Sequence, residues 1–314
     1  MKTKICMSLC VLAAISLFCG QKKEAIKPQH PINISKLKPE FPIQGRIAFQ
    51  SDMDGDREIF LLTKSGVRQL TDNNWDDEYP KWSPDGKKIA FSANPGGNFD
   101  IFVMDEDGSD VRPLISSPKN EVEHAWFPDG QKMAYTIEEK KGIRRQFTLW
   151  EMDLNTKKSR KMLPSFKGNS ALPDFAPNAP LMAFTGKKMM GWDVFITNME
   201  EEDTKDLTSG GKACRPHFSG DGIRIAYVSA EADGKGDIWL MNPEGGAKTR
   251  LTERNETSDY FPAWAPDDEY IVFSSSLEHR IDRGNWSLFL VKVKTKEIFS
   301  LFDSPGRDIF PDWK

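Results

Sequence analysis

One phrase returns again and again along this 314-residue chain and restricts its fold more than any other feature. It reads Pro80-Lys81-Trp82-Ser83-Pro84-Asp85-Gly86-Lys87-Lys88-Ile89-Ala90-Phe91, and recurs as His124-Ala125-Trp126-Phe127-Pro128-Asp129-Gly130 running on to Met133-Ala134-Tyr135. Looser copies start at Pro173, Pro216 and Pro262 and close on Phe184, Tyr227 and Phe273. The closing aromatics stand 44, 49, 43 and 46 residues apart, which is the length of one four-stranded propeller blade. Within the phrase, Pro presets φ and Gly permits φ above zero. Pro84-Asp85-Gly86 is therefore a turn that folds the strand ending at Trp82 back on the strand ending at Phe91. The leading Pro is placed at the first residue of its strand, where no ladder donor is needed.

The rest of each period supplies two more strands. Asp100-Ile101-Phe102-Val103-Met104, Asp193-Val194-Phe195-Ile196-Thr197 and Asp237-Ile238-Trp239-Leu240-Met241 follow a polar turn, and short runs ending in Leu70-Thr71, Leu207-Thr208 and Leu251-Thr252 come next. A single blade cannot bury both faces, so the units must stack, with the aromatics at Trp82, Trp126, Phe175, Phe218, Trp264 and Trp313 meeting a neighbouring blade. The chain ends complement each other. Gln44-Gly45-Arg46-Ile47-Ala48-Phe49 has the second strand of the phrase without the first, and Phe310-Pro311-Asp312-Trp313-Lys314 has the first without the second. The expected fold is all-β: a six-bladed β-propeller over 42–314, four antiparallel strands per blade, whose first blade is closed by the C-terminal strand.

The repeated phrase, together with Ser51-Asp52-Met53-Asp54-Gly55-Asp56-Arg57-Glu58-Ile59-Phe60, resembles the repeats of the TolB-type, WD40-like propellers. The likeness covers 42–314 and implies the fold. The α/β domain that precedes the propeller in TolB has no room here, so a role in the Tol-Pal envelope system is implied only by analogy.

Residues 1–18 read as an export signal: Lys2 and Lys4 precede an apolar run, Ile5 to Phe18, too short to span a bilayer. Its end, Leu17-Phe18-Cys19-Gly20, resembles a bacterial lipoprotein signal, which makes Cys19 the lipidated residue. Cys214 is then the remaining thiol, without an internal disulfide. Residues 19–41, with Pro28, Pro31 and Pro39 and no periodicity, read as a spacer tethering the propeller to a membrane, the outer membrane being the expected one. Losing Lys2 and Lys4 leaves 41 basic against 47 acidic residues, which argues against nucleic acid as partner.

Catalytic motifs are missing from the sequence. There is no Gly-x-Ser-x-Gly elbow, and His30, His124, His217 and His279 form no metal-binding pair. No cofactor or metal is expected. Asp52-Met53-Asp54-Gly55 suits a hairpin turn better than a calcium loop, and Cys214 suits a packed position. Lys187-Lys188-Met189-Met190-Gly191-Trp192 reads as a hairpin tip. Three places before each leading Pro or its replacement stand Asp77, Glu121, Ser170, Ala213, Asp259 and Asp308. If the phrase opens the innermost strand, these acids sit in loops around one channel mouth, beside Trp75, Glu78, Tyr79, Glu123, Arg215, Tyr260 and Arg307. Two readings stand: a shared site for a cationic or mixed segment of another envelope protein, or acids that each cap their own turn or pair with a nearby Arg. The expected function is a monomeric, non-catalytic protein-binding module of the cell envelope. The alternative is a propeller-type polysaccharide lyase or glycosidase using the channel carboxylates.

Overall fold

A computed structural model describes residues 44–314 except Ile143, Met189, Met190, Glu202, His279 and Arg283. The export signal, Cys19, the spacer and His30 lie outside the described residues, as do the two methionines of the hairpin tip. Among the described residues, twenty-four strands, β1 to β24 in chain order, form six antiparallel sheets of four. Five sheets are built from consecutive strands. The sixth has the order β24 (Ile309–Trp313), β1 (Ile47–Ser51), β2 (Glu58–Thr63), β3 (Gly66–Gln69). The C-terminal strand is thus the innermost strand of the first blade, with Ile47 opposite Trp313 and Ala48 opposite Asp312. Arg46 and Lys314 extend this ladder through two backbone hydrogen bonds, of 2.6 and 2.9 Å.

Apolar clusters fill the seams between blades. Phe49, Phe60 and Leu62 of the first blade meet Leu288, Leu290 and Phe302 of the sixth. The phrase aromatics bridge as well as fill. The Trp126 indole donates to the Lys81 carbonyl of the preceding blade at 3.2 Å, and Trp264 to that of His217 at 3.0 Å. A second seam bond recurs on the face where the inner strands begin. There Asp77, Glu121, Ala213, Asp259 and Asp308 donate their backbone N–H to a carbonyl in the preceding blade, at 2.7–2.8 Å. The 49-residue period also has its cause, since β9 (Lys132–Lys141) and β10 (Arg144–Asp153) each run ten residues where the corresponding strands elsewhere have five to seven.

The inner strands start earlier than the turn chemistry suggests. They are β4 (Asp77–Trp82), β8 (Asn120–Trp126), β12 (Asn169–Phe175), β16 (Ala213–Phe218), β20 (Ser258–Trp264) and β24. The leading Pro therefore lies mid-strand, and the position is tolerated because the ladder is already broken there. Every inner strand shifts register across this point, as between Glu78 and Lys81 in β4. The residue before the Pro adopts φ of 49–60° in all six blades: Tyr79, Glu123, Leu172, Arg215, Phe261 and Phe310. A β-bulge leaves one residue unpaired and bends the strand, so a residue without an N–H is no loss at that place.

Candidate functional site

The six bulges decide what faces the channel. Non-glycine residues at positive φ are uncommon and strained, and here the repeated strain sends one side chain per blade toward the axis. Tyr79, Glu123, Leu172, Arg215, Phe261 and Phe310 close together into a plug. The Tyr79 ring lies 3.9 Å from Phe310, and Phe310 lies 4.1 Å from Phe261, centroid to centroid. The Arg215 guanidinium sits 4.3 Å from the Phe261 centroid and 5.3 Å from that of Phe310. Tyr79 Oη donates to Glu123 Oε1 at 3.3 Å.

Beyond this plug, toward the Pro-Asp-Gly turns, lies a small cavity of about 70 Å³, partly open to solvent. Its walls are the five prolines of the phrase and His124, and its far rim includes Lys81, Asp174 and His217. Lys81 Nζ donates to Asp312 Oδ1 at 2.8 Å, and His217 Nε2 stands 3.7 Å from the same oxygen. The two acids also staple blades together. Asp312 Oδ2 accepts the N–H of Trp82, and Asp174 Oδ2 that of Phe218, each at 2.7 Å. Burial drives the Asp312 carboxyl upward, but Lys81 and His217 outweigh it and hold the group down at about 2. Glu123 has the opposite fate: burial lifts it to about 7 against the pull of Arg215. Burial also lowers His124 to about 4, so its imidazole is neutral.

The residues expected at a shared mouth are split by this geometry. Asp77, Glu121 and Asp259 stand at the first or second residue of an inner strand and Asp308 just before one, and all four are buried within the blades rather than displayed on loops. Asp77 accepts from Asn73 Nδ2 at 2.7 Å, and Glu121 from the N–H and hydroxyl of Ser117. Asp259 pairs with Arg254 at 2.8 Å and accepts from Ser275 Oγ at 2.6 Å. Asp308 accepts from Ser51 Oγ at 2.7 Å and Ser304 Oγ at 2.8 Å. Each carboxylate serves its own turn or a local Arg, which is the second of the two expectations. The physical reason is the early strand start, which rotates these side chains into the sheet.

Of the others, Glu78 pairs with Arg57, and Arg307 grips Asp52 through its Nε at 2.7 Å and backbone N–H at 2.6 Å. The Asp52 turn is thus occupied by an arginine. Tyr260 is buried against Trp286 and Gly236, where a Cβ would fall 2.3 Å from the tyrosine ring. Tyr79, Glu123 and Arg215 are the three members of the set that line the channel cavity. Lys81, His124, Asp174, His217 and Asp312 were not anticipated, although four of them occupy one column of the repeat, the residue between the Pro and the aromatic. Cys214 is wholly buried in an apolar cluster. Among the described residues no group of three or more His, Cys, Asp or Glu is placed to hold a metal ion.

A closed ring of six TolB-like blades is the class that this architecture defines. The pattern of the TolB beta propeller domain matches residues 19–162 and 99–282, and the chain belongs to that family. Dipeptidyl-peptidase 5 of Porphyromonas gingivalis is 26% identical over 298 residues, covering 77% of this chain and 43% of that protein. TolB from Acinetobacter baumannii superposes with a TM-score of 0.71 at 20% identity, over 86% of this chain and 66% of the other. An oligogalacturonate lyase from Vibrio parahaemolyticus gives 0.52 at 13% identity, over 84% and 75%. The chain spans less than half the length of the peptidase and about two thirds of the TolB structure.

Proposed function

We propose that this propeller is a non-catalytic binding module of the bacterial envelope, exported, tethered through Cys19, and capturing a segment of another envelope protein on the face where its inner strands begin. The observation that carries this reading is Trp75. It stands 40% exposed on the loop entering β4, a loop pinned by Trp75 N–H to Asn73 Oδ1 at 3.0 Å and Asp76 N–H to Asn94 Oδ1 at 2.9 Å. An exposed indole on a pinned loop beside charged groups, here Arg57 with Asp76 and Glu78, has the make-up of a hot spot with a polar rim. Leu277, 71% exposed, lies on the same face. The spacer would join the propeller at Gly45 and Arg46, on the opposite face, where Arg46 donates to the Gly86 carbonyl at 3.0 Å. That arrangement turns the Trp75 face away from the anchor. Kinship with relatives named Tol-Pal system protein TolB, such as that of Anaeromyxobacter dehalogenans at 44% identity over 45 residues, supports an envelope setting.

The joint substitution Trp75→Ala with Leu277→Ser should cut recovery of the cross-linked partner from envelopes at least tenfold while leaving the melting midpoint within about 2 °C, because neither side chain supports the core. Undiminished recovery would remove the basis for the reading. Polysaccharide cleavage keeps one observation in its favour, since a raised Glu123 lines the channel cavity and a lowered Asp312 binds Lys81 of the same lining. Asp312 is bound to Lys81 and a backbone N–H, and incubation with polygalacturonate is expected to release neither reducing ends nor unsaturated uronate.

A further inference from the structure

The cavity behind the plug has no part in capture on the opposite face, and its chemistry is specific. Among the polar residues that line it, Glu123 and His124 each carry an unsatisfied atom. Glu123 Oε2 and His124 Nε2 have no hydrogen-bond partner, and the two residues are 2% and 3% exposed. Oε2 belongs to a carboxyl whose other oxygen already takes the Tyr79 hydroxyl, and the neutral imidazole, with Nδ1 3.4 Å from Ser92 Oγ, presents a lone pair at Nε2 in the tautomer that carries its proton on Nδ1. Leaving buried acceptors unpaired is costly, and a ligand that brings donors recovers that loss.

Charge narrows the class of ligand. The lining carboxyls Glu123 and Asp174 stand with Lys81 and Arg215, and Lys81 is already paired with Asp312, so a cation entering beside Glu123 meets a carboxyl that it can hold ionised. Arg215 is already spread over the Phe261 and Phe310 rings. The remaining wall is prolines and Leu172, which accept an apolar stem and offer no donor, since Pro has no N–H.

We propose that the turn-side half of the channel is a binding site for a primary ammonium group on a short apolar stem, with the ammonium donating to Glu123 Oε2 and His124 Nε2 and the stem against the proline wall. The shared chemistry is met by a free amine or by the end of a lysine side chain. A carboxylate of the same shape is rejected, because it brings no donor to either atom.

The test is calorimetric titration of the folded protein with phenethylamine, with 3-phenylpropionate, and with N-acetyl-lysine methylamide. Saturable one-to-one binding of phenethylamine with no binding of 3-phenylpropionate is expected, and Glu123→Gln should weaken it about tenfold or more, the worth of one charge-assisted hydrogen bond. Comparable binding of the lysine derivative would assign the site to a peptide lysine, and binding of the free amine alone would assign it to a small metabolite. The proposal is overturned if neither amine saturates the protein at millimolar concentration, if the carboxylate binds as tightly, or if a Glu123→Gln protein with an unchanged melting midpoint binds as the parent does. The comparison among probes needs no variant, so a folding defect in Glu123→Gln would leave the test intact.

Discussion

A chain shortened to end at Asp308 is expected to lose its cooperative unfolding transition, or to melt at least about 10 °C lower than the full chain. Residues 309–314 provide the whole inner strand of the first blade. Ile309 and Phe310 are 4% and 7% exposed, and burying two side chains of that size contributes about 1.5–3 kcal/mol each. Phe310 also wedges between Tyr79 and Phe261 at the axis, so its removal opens a hole in the plug. Asp312 holds Lys81 and the Trp82 N–H of the second blade, and without it the seam between the first and second blades loses both bonds. The sum exceeds about 5 kcal/mol, against a total stability of about 5–15 kcal/mol for a typical domain. Circular dichroism melts of the two chains decide the matter. A truncated chain that melted cooperatively at the parental midpoint would mean that the ring does not depend on this closure.

The same seams show why the phrase has its form. Trp supplies both an apolar slab and an N–H that reaches the carbonyl of the blade before it, as Trp126 and Trp264 do. Pro sits where a bulge has already broken the ladder, and the bulge aims the preceding residue at the axis. A single local device, repeated six times, closes the ring and composes the channel.

The repeat made the blades, their number and the closing strand readable, because period, turn chemistry and complementary chain ends all point to one topology. What misled was Pro80 and its counterparts. The rule that admits Pro at the first residue of a strand placed the acids before it in loops, whereas a bulge admits it mid-strand equally well, and local sequence does not distinguish the two. From that one displacement follows the change in Asp77, Glu121, Asp259 and Asp308 from a displayed rim to buried caps. The chamber was hidden for a different reason. Lys81, Asp174, His217 and Asp312 share a column of the phrase, but that column also holds Ala125 and Ala263, and a position that varies between repeats carries no pattern until closure sets its six members face to face.

Stability should be greatest in mildly acidic solution and should fall as pH rises toward 8.5, the reverse of proteins held by ionised carboxylates. Burial pushes Asp308 to about 8 and Glu78, Glu121 and Asp237 to about 7, and it raises Glu58, packed beside Asp77, further still. In the unfolded chain these groups titrate near 4, so between about pH 4 and pH 7–9 the folded protein binds more protons, and the stability they contribute, complete below about pH 4, drains away as pH climbs through the folded values. Two groups act in the other direction. His124, lowered to about 4 by burial, contributes stability that is complete above its unfolded value near 6.5 and lost as pH falls toward 4. Asp312, held at about 2, loses its contribution only as pH falls from about 4 toward 2. One histidine is outweighed by these carboxylates, with Glu123 and Asp77 raised beside them, and the maximum lies near pH 4. The melting midpoint at pH 5.5 should exceed that at pH 8.5 by about 5 °C or more, at fixed ionic strength. Asp308→Asn imitates the protonated acid among the Ser51 and Ser304 hydroxyls, so it should raise the midpoint more at pH 8.5 than at pH 5.5 and flatten the profile between them. A midpoint that climbed from pH 5.5 to 8.5, or an Asp308→Asn protein weakened most at the alkaline end, would show these carboxylates to be ionised in the fold.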